Sequence, residues 1–275
     1  MTRQVVAIGS LKGAPGASTL ALALAAAWPT AGGARPVVVE ADASGGDIAV
    51  RFGLSNMVGL LTLAAGARQQ EAGSGLDGCT QEVAGGVRVV VAPTGADQAA
   101  PCVSEIASCA SVLHGDGDSK GVVLLDLGRL GATASQELAR VADRLVLVAR
   151  GGTDGLAHVA ARPEWLEGVQ VELVVVGPCR YAESDIAKAL QMEPVQIHVL
   201  PWDARAGAVL SGLGRIGERR WRRSPLGRAA SRLADRLAGV DTGRQGGGLV
   251  DELAQFASRP LSRPTVGTAG EGGAK

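Results

Sequence analysis

The sequence predicts a doubly wound α/β protein, with a mostly parallel sheet covered by helices on both faces. Three observations carry this expectation. Short β-branched runs recur along the chain, Ala- and Leu-rich stretches of helical length separate them, and the runs are apolar throughout rather than alternating. A strand wetted on one face alternates polar and apolar residues, so near-continuous runs belong to strands buried on both faces, as in parallel sheets. With 275 residues, 46% of them hydrophobic and only 3% aromatic, the chain can bury a sizeable core built from Ala, Val and Leu.

The first strand is read at Val5–Ile8. A helix follows from about Ala17 and runs through Leu20 to Trp28, stopping at Pro29, because proline disfavours helix in the residue before it and lacks the next N–H donor. Further strands are read at Val37–Val39, Val87–Val91, Val122–Leu125, Leu145–Val148, Val171–Val176 and Val195–Val199. Leu226, Ala230, Leu233 and Leu237 fall at i, i+4, i+7 and i+11, one face of a closing helix. Residues 1–240 are therefore expected to form one domain. Residues 241–275 are too rich in Gly and Pro and too poor in apolar residues to fold alone, and are expected to be a flexible tail. Within it Leu249, Val250, Leu253 and Phe256 have the spacing of a short amphipathic turn.

The 27 basic and 27 acidic residues balance, which removes any global electrostatic argument for binding nucleic acid or an anionic membrane and leaves only local patches. Cys79, Cys102, Cys109 and Cys179 form no CxxC pair and no zinc spacing, so they read as free thiols of a reducing compartment. There is no integral membrane segment, since no run of about 18 apolar residues occurs, and the N-terminal apolar run is too short for a secretory signal. A cytoplasmic location is expected.

Between the first strand and the first helix lies Gly9-Ser-Leu-Lys-Gly-Ala-Pro-Gly-Ala-Ser-Thr19. Backbone N–H groups and the positive end of a helix converge at such a place, so a phosphate site is expected. Two kinds of phosphate loop compete for it. A dinucleotide-binding loop gains some support from Glu40 and Asp42 at the end of the second strand, but Gly9, Gly13 and Gly16 are spaced GxxxGxxG rather than GxGxxG, and Lys12, Ser18 and Thr19 would have no task.

The other reading uses those residues. Lys12 to Thr19 resembles the deviant Walker A motif of the ParA/MinD family of P-loop ATPases, K-G-G-x-G-K-S/T-T. The resemblance assigns Lys12 to the signature lysine, and Gly13, Ala14, Pro15, Gly16, Ala17, Ser18 and Thr19 to the loop around the phosphates of ATP. Ser18 takes the hydroxyl that ligates Mg²⁺, and Thr19 the threonine near the α-phosphate. Ala14 replaces the second glycine, and Ala17 stands where the loop lysine belongs. That lysine supplies a point charge to the β- and γ-phosphates, above all in the transition state, so its loss implies weakened binding and slow or absent hydrolysis. Arg150 at a strand end, or Lys12 itself, is a candidate replacement.

The likeness extends past the loop, from Val5 to about Gly239. Val37 to Asp47 resembles the family's second-strand motif, with Glu40 as first acid and Asp42 as the second, which helps position the attacking water; Asp47 and the Gly45-Gly46 pair would be its flexible neighbourhood. Gly121 to Gly128 looks like Walker B, delivering Asp126 to the Mg²⁺ shell. Val199 to Asp203 resembles the adenine-holding segment, which makes Pro201 and Asp203 base-site candidates, although Asp203 also suits a helix N-cap. An asparagine expected to close the preceding strand is missing, for Gly177-Pro178 stand there.

Loops of this kind without the lysine also look like the atypical relatives called TadZ or CpaE, which accompany pilus and secretion machineries. The resemblance thus implies a nucleotide-biased homodimer, in which Lys12 of each subunit reaches the other's phosphates, acting as a positioning or scaffold protein for chromosome or plasmid partitioning or for a pilus or secretion system. A nucleotide-free interaction scaffold is the alternative. Arg219, Arg220, Arg222 and Arg223 flank Trp221 within a basic stretch that reads as a solvated helix face or as a non-specific DNA contact, in preference to a membrane-inserting helix.

Overall fold

The computed structural model describes residues 3–13, 15–29, 35–69, 75–83, 85–115, 119–161, 164–216 and 219–240. Ala14 of the loop and the whole segment 241–275, with Leu249, Val250, Leu253 and Phe256, lie outside them.

Strands Gln4–Ser10 (β1) and Val37–Glu40 (β2) enclose helix Ala17–Ala27 (α1), with Ile48–Phe52 (α2) and Leu60–Gln69 (α3) following. Next come Gln81–Val83 (β3), Val87–Val90 (β4), Ala96–Ser108 (α4), Ser111–His114 (α5), Val122–Arg129 (β5) and Thr133–Val141 (α6). The second half contributes Arg144–Arg150 (β6), Thr153–Ala160 (α7), Val171–Val176 (β7), Glu183–Leu190 (α8) and Ile197–Leu200 (β8). Ala204–Val209 (α9), Arg219–Arg222 (α10) and Pro225–Leu237 (α11) close the described chain.

The eight strands are ordered β3-β4-β2-β5-β1-β6-β7-β8, all pairs parallel except β3 with β4. Because side chains alternate across a strand, each apolar run feeds both faces of the sheet. Val6, Ile8, Val38, Leu124 and Val146 pack with α1 and α11 on one face. Val5, Ala7, Val39, Leu125 and Leu147 pack on the other with Leu63 of α3, Ile106 of α4 and Leu138 of α6. The expected doubly wound sheet is therefore present.

Two details differ from the sequence expectation. The edge strand β3 was not foreseen, because Gln81-Glu82-Val83 carries one buried apolar side chain and lies antiparallel at a rim where no apolar run is needed. The last strand begins at Ile197 rather than Val195, since Pro194–Gln196 is a 3₁₀ turn.

One buried charge ties the far half together. Glu172 on β7 is 5% exposed and accepts from His198 on β8 at 2.8 Å, Arg144 on β6 at 3.3 Å and Arg236 on α11 at 3.3 Å. Burial pushes its carboxyl up, but the hydrogen bonds from His198 and Arg236 outweigh this and hold it below the ordinary range. Helix α11 starts where Ser224 accepts from the Gly227 N–H at 2.9 Å with Pro225 in the first turn, and it buries Leu226, Ala230, Leu233 and Leu237 as its periodicity requires.

Trp221 departs from its sequence reading. It is 3% exposed and belongs to the core, so it is not displayed between Arg219, Arg220, Arg222 and Arg223, which are themselves exposed. All four cysteines are free thiols, Cys79 and Cys102 buried. Among the described residues no helix is long and apolar enough to cross a membrane.

Candidate functional site

Strand β1 lies between β5 and β6, while the chain leaves β1 for β2 on the far side of β5. The connections thus diverge at the carboxyl end of β1, where ligands bind in open parallel sheets. The strand order also decides between the two phosphate-loop readings. A dinucleotide fold seats β2 beside β1 so that its acid reaches the ribose; here β5 intervenes and brings Asp126 into register with both Ile8 and Glu40.

Gly16 turns the chain into α1 with φ 102°, a left-handed conformation open to glycine, and no side chain caps the helix. The first N–H groups of α1 are thus left to a ligand. Gly13, with φ 69° and no atom within 4 Å of where a Cβ would stand, leaves the loop open above them. Ser10, quoted in the loop from the sequence but given no role there, fixes the loop from below: its hydroxyl lies 3.3 Å from both the Gly13 and Gly128 carbonyl oxygens and can donate to either.

Asp126 is fully buried within β5. Its Oδ1 accepts from the Gly128 N–H at 3.1 Å, whereas Oδ2 has no hydrogen-bond partner. Burial pushes this carboxyl up to about 7; the Ser18 hydroxyl and Gly128 N–H pull it down, and the negative charges of Glu40 and Asp42 add to the rise. A buried carboxylate oxygen without a partner suits a cation. Among the described residues no three His, Cys, Asp or Glu side chains converge as a ready cage, so a cation here would complete its shell with ligand and water oxygens, as Mg²⁺ does. Ser18 and Asp126 fit that role.

Asp42 is half-buried beyond β2, with Oδ1 accepting from the Ser44 N–H at 2.8 Å, and burial raises its carboxyl as well. Its Oδ2 would lie 1.8 Å from a Cβ on Gly128, whose φ is +54°, so the glycine of the Walker B-like segment is what lets the two segments meet. The Gly45-Gly46 pair is close-packed rather than loose: added Cβ atoms would stand 2.1 Å from the Thr94 carbonyl oxygen and 2.4 Å from Glu40 Oε2.

Glu40 is a structural anchor. It is 2% exposed, and Oε1 accepts from Asp47 N–H at 2.7 Å and Ile48 N–H at 3.0 Å while Oε2 accepts from Ala92 N–H at 2.9 Å. One carboxylate thereby fastens the start of α2 and the end of β4 to β2. Replacing Glu40 with Ala would strip three N–H groups of their acceptor, those of Ile48 and Ala92 buried and that of Asp47 partly buried. We expect a loss of at least about 3 kcal/mol, taking roughly 1–3 kcal/mol per unsatisfied group. Urea unfolding of the Glu40→Ala protein checks this, and a loss below about 1 kcal/mol would contradict the anchoring role.

A cavity of about 640 Å³ opens above the loop. Gly13 and Pro15 to Thr19 line one wall, Asp42 and Asp47 another, and Pro201, Trp202 and Asp203 a third. The structure thus brings together every described site residue named from the sequence except Lys12, which is exposed and does not line it, and Asp126, which lies beneath it. Asp203 lines the cavity, and its Oδ1 accepts from the Ala206 N–H at 3.0 Å as the N-cap of α9. Arg150 stacks over Trp202 with 6.0 Å to the ring centroid and is not part of the lining. The cations that do line it, Arg51 and Arg129, were not identified from the sequence.

Neither a family signature nor a curated protein sequence matches the chain. Solved structures do. A ParA family ATPase from Chlorobium tepidum superposes with a TM-score of 0.68 at 16% identity, covering 86% of this chain and 98% of that one. The septum site-determining protein MinD of Pyrococcus horikoshii, complexed with Mg-ADP, gives 0.68 at 15% identity over 89% and 100% of the two chains. This is the ParA/MinD fold. An McdA variant of Cyanothece in complex with ATP gives 0.62 at 14%, covering 88% and 99%.

Proposed function

We propose that this chain is a Mg·ATP-responsive, dimerising positioning or scaffold protein with weak hydrolysis. The observation that carries the reading is the uncapped N-terminus of α1, approached through Gly13, Pro15 and Gly16 and set beside a buried Asp126 whose Oδ2 lacks a partner. Donors without an acceptor and an acceptor without a cation are complementary to a phosphate–metal pair. The backbone N–H groups would hold the phosphates, Ser18 and Asp126 would hold Mg²⁺, and Asp42 would orient an attacking water from above. Bound Mg²⁺ neutralises phosphate charge, which is the part of the missing lysine's work that the metal can do. Trp202 and Pro201 form an apolar wall suited to a base.

Lys12, exposed and not part of the cavity lining, would reach the phosphates held by a second copy. A protein whose nucleotide favours a dimer without turning over quickly suits a positioning or scaffold role, in partitioning or at a pilus or secretion apparatus, and cytoplasmic work. A second reading, a scaffold that has given up nucleotide altogether, is favoured by one specific residue, Ala17.

Titration with Mg·ATP and Mg·ADP, following binding heat and association state together, separates the two. We expect saturable ATP binding that drives dimerisation, with dimerisation lost in Lys12→Ala. No binding up to millimolar ATP would leave the nucleotide-free scaffold.

A further inference from the structure

A phosphate loop without its lysine needs positive charge from elsewhere, and the structure narrows where that charge sits. Lys12 does not line the cavity, and Arg150 is engaged with Trp202. Two cations face into it, Arg129 and Arg51. Arg129 is exposed at the end of β5. Arg51 is held on three sides. Its side chain is 27% exposed and donates from Nη2 to Asp47 Oδ2 at 2.8 Å. Its helix is anchored through Asp47 and Ile48 N–H groups on buried Glu40. Its own carbonyl oxygen is overlaid by Gly212, where a Cβ would come within 2.0 Å.

We infer that Arg51 supplies to the nucleotide's phosphates the positive charge that Ala17 cannot, and that Asp47 is its positioning residue. The inference rests on the nucleotide-binding reading above. A guanidinium has five N–H donors, so the bond to Asp47 leaves others free for phosphate oxygens, and a pre-oriented fork loses little freedom on binding. Asp47 therefore acts as an orienting partner. The carboxylates Asp42, Asp47 and Asp203 share the cavity lining with Arg51 and Arg129, so removing Arg51 would leave three negative side chains against one positive to meet an entering polyphosphate.

Calorimetric titration with Mg·ATP, Mg·ADP and AMP tests this in wild type, Arg51→Ala, Arg51→Lys and Asp47→Asn. We expect Arg51→Ala to weaken ATP binding by roughly tenfold to a hundredfold, as for loss of a charge-assisted hydrogen bond. ADP should lose less, Arg51→Lys should recover part, and Asp47→Asn should fall between wild type and Arg51→Ala. The sharpest expectation is rescue: Ala17→Lys placed in the Arg51→Ala protein restores ATP affinity, which a merely structural role for Arg51 does not permit. Wild type that binds ATP with Arg51→Ala binding equally well overturns the role of Arg51 alone. Wild type that binds no nucleotide at millimolar concentration overturns the underlying reading and this inference with it. Should Arg51→Ala fold poorly, the Asp47→Asn and Arg51→Lys affinities decide: both equal to wild type sinks the idea.

Discussion

Asp126→Asn is expected to make the metal-free protein more stable at pH 8, and by a margin that shrinks as the pH falls. The carboxyl ionises near 3.8 in the unfolded chain and near 7 when buried in the folded one. Between those values the folded state holds the proton that the unfolded state has released, so raising the pH through this window withdraws stability. The shift of about 3 units corresponds to about 4 kcal/mol by pH 8, at 1.36 kcal/mol per unit, and to less than about 1 kcal/mol at pH 4. Asparagine is never charged and keeps an oxygen for the Gly128 N–H. For a domain of this size the pH 8 gain is roughly 5–15 °C in melting temperature. Melting in EDTA at pH 4, 6 and 8 checks the sign and the slope. Adding Mg·ATP should stabilise wild type and leave the Asn variant unmoved; a gap that does not change with pH would falsify the assignment of Asp126 as the strained, cation-seeking acid.

The ability to make that argument came partly from the sequence. Apolar runs ending in Asp126 and Glu40 are legible because burial on both faces forces a strand to be apolar throughout, so the first charged residue after the run marks the approach to the carboxyl end of the sheet. The glycines of the loop are legible too, since their spacing follows from a backbone that must wrap an anion. What could not be read were contacts made by backbone groups distant in sequence. Glu40 reads only as the first acid of the second-strand motif until Ala92, Asp47 and Ile48 are seen donating to it. Ser10 reads as one more loop residue until its hydroxyl is seen between the Gly13 and Gly128 carbonyls.

Arg51 and Trp221 show the same limit in opposite directions. Arg51 occupies an unremarkable place in Ile-Ala-Val-Arg-Phe, and only the anchoring of α2 on Glu40 turns it toward the cavity. Trp221, amid arginines, reads as part of an exposed contact surface, yet the packing of α10 against α11 draws its ring into the core while its neighbours stay in water. Pattern reports the average character of a face. It does not report which single side chain a tertiary contact will turn.

Ala17→Lys carries the largest expected gain of function. Ala17 is the first residue of α1, lines the cavity and is 6% exposed, so a longer side chain there starts at the mouth of the phosphate loop. Its cost to the fold is small, about 0.3–1 kcal/mol for a cation in the first turn of a helix, and a bound phosphate offsets it. Its benefit falls mainly on the transition state, where phosphate charge is redistributed and a preorganised donor is worth roughly 100-fold or more in rate. We therefore expect phosphate release from Mg·ATP to rise by about 100-fold in Ala17→Lys, and the gain to vanish in Ala17→Lys/Asp42→Ala if Asp42 orients the water. Because Arg51 already offers charge, the added lysine should tighten ATP binding more in the Arg51→Ala background than in wild type, a non-additivity that a double-mutant cycle measures directly. An Ala17→Lys protein that folds, binds ATP and still fails to turn it over would shift the cause of slow hydrolysis from the loop to the placement of Asp42 above it.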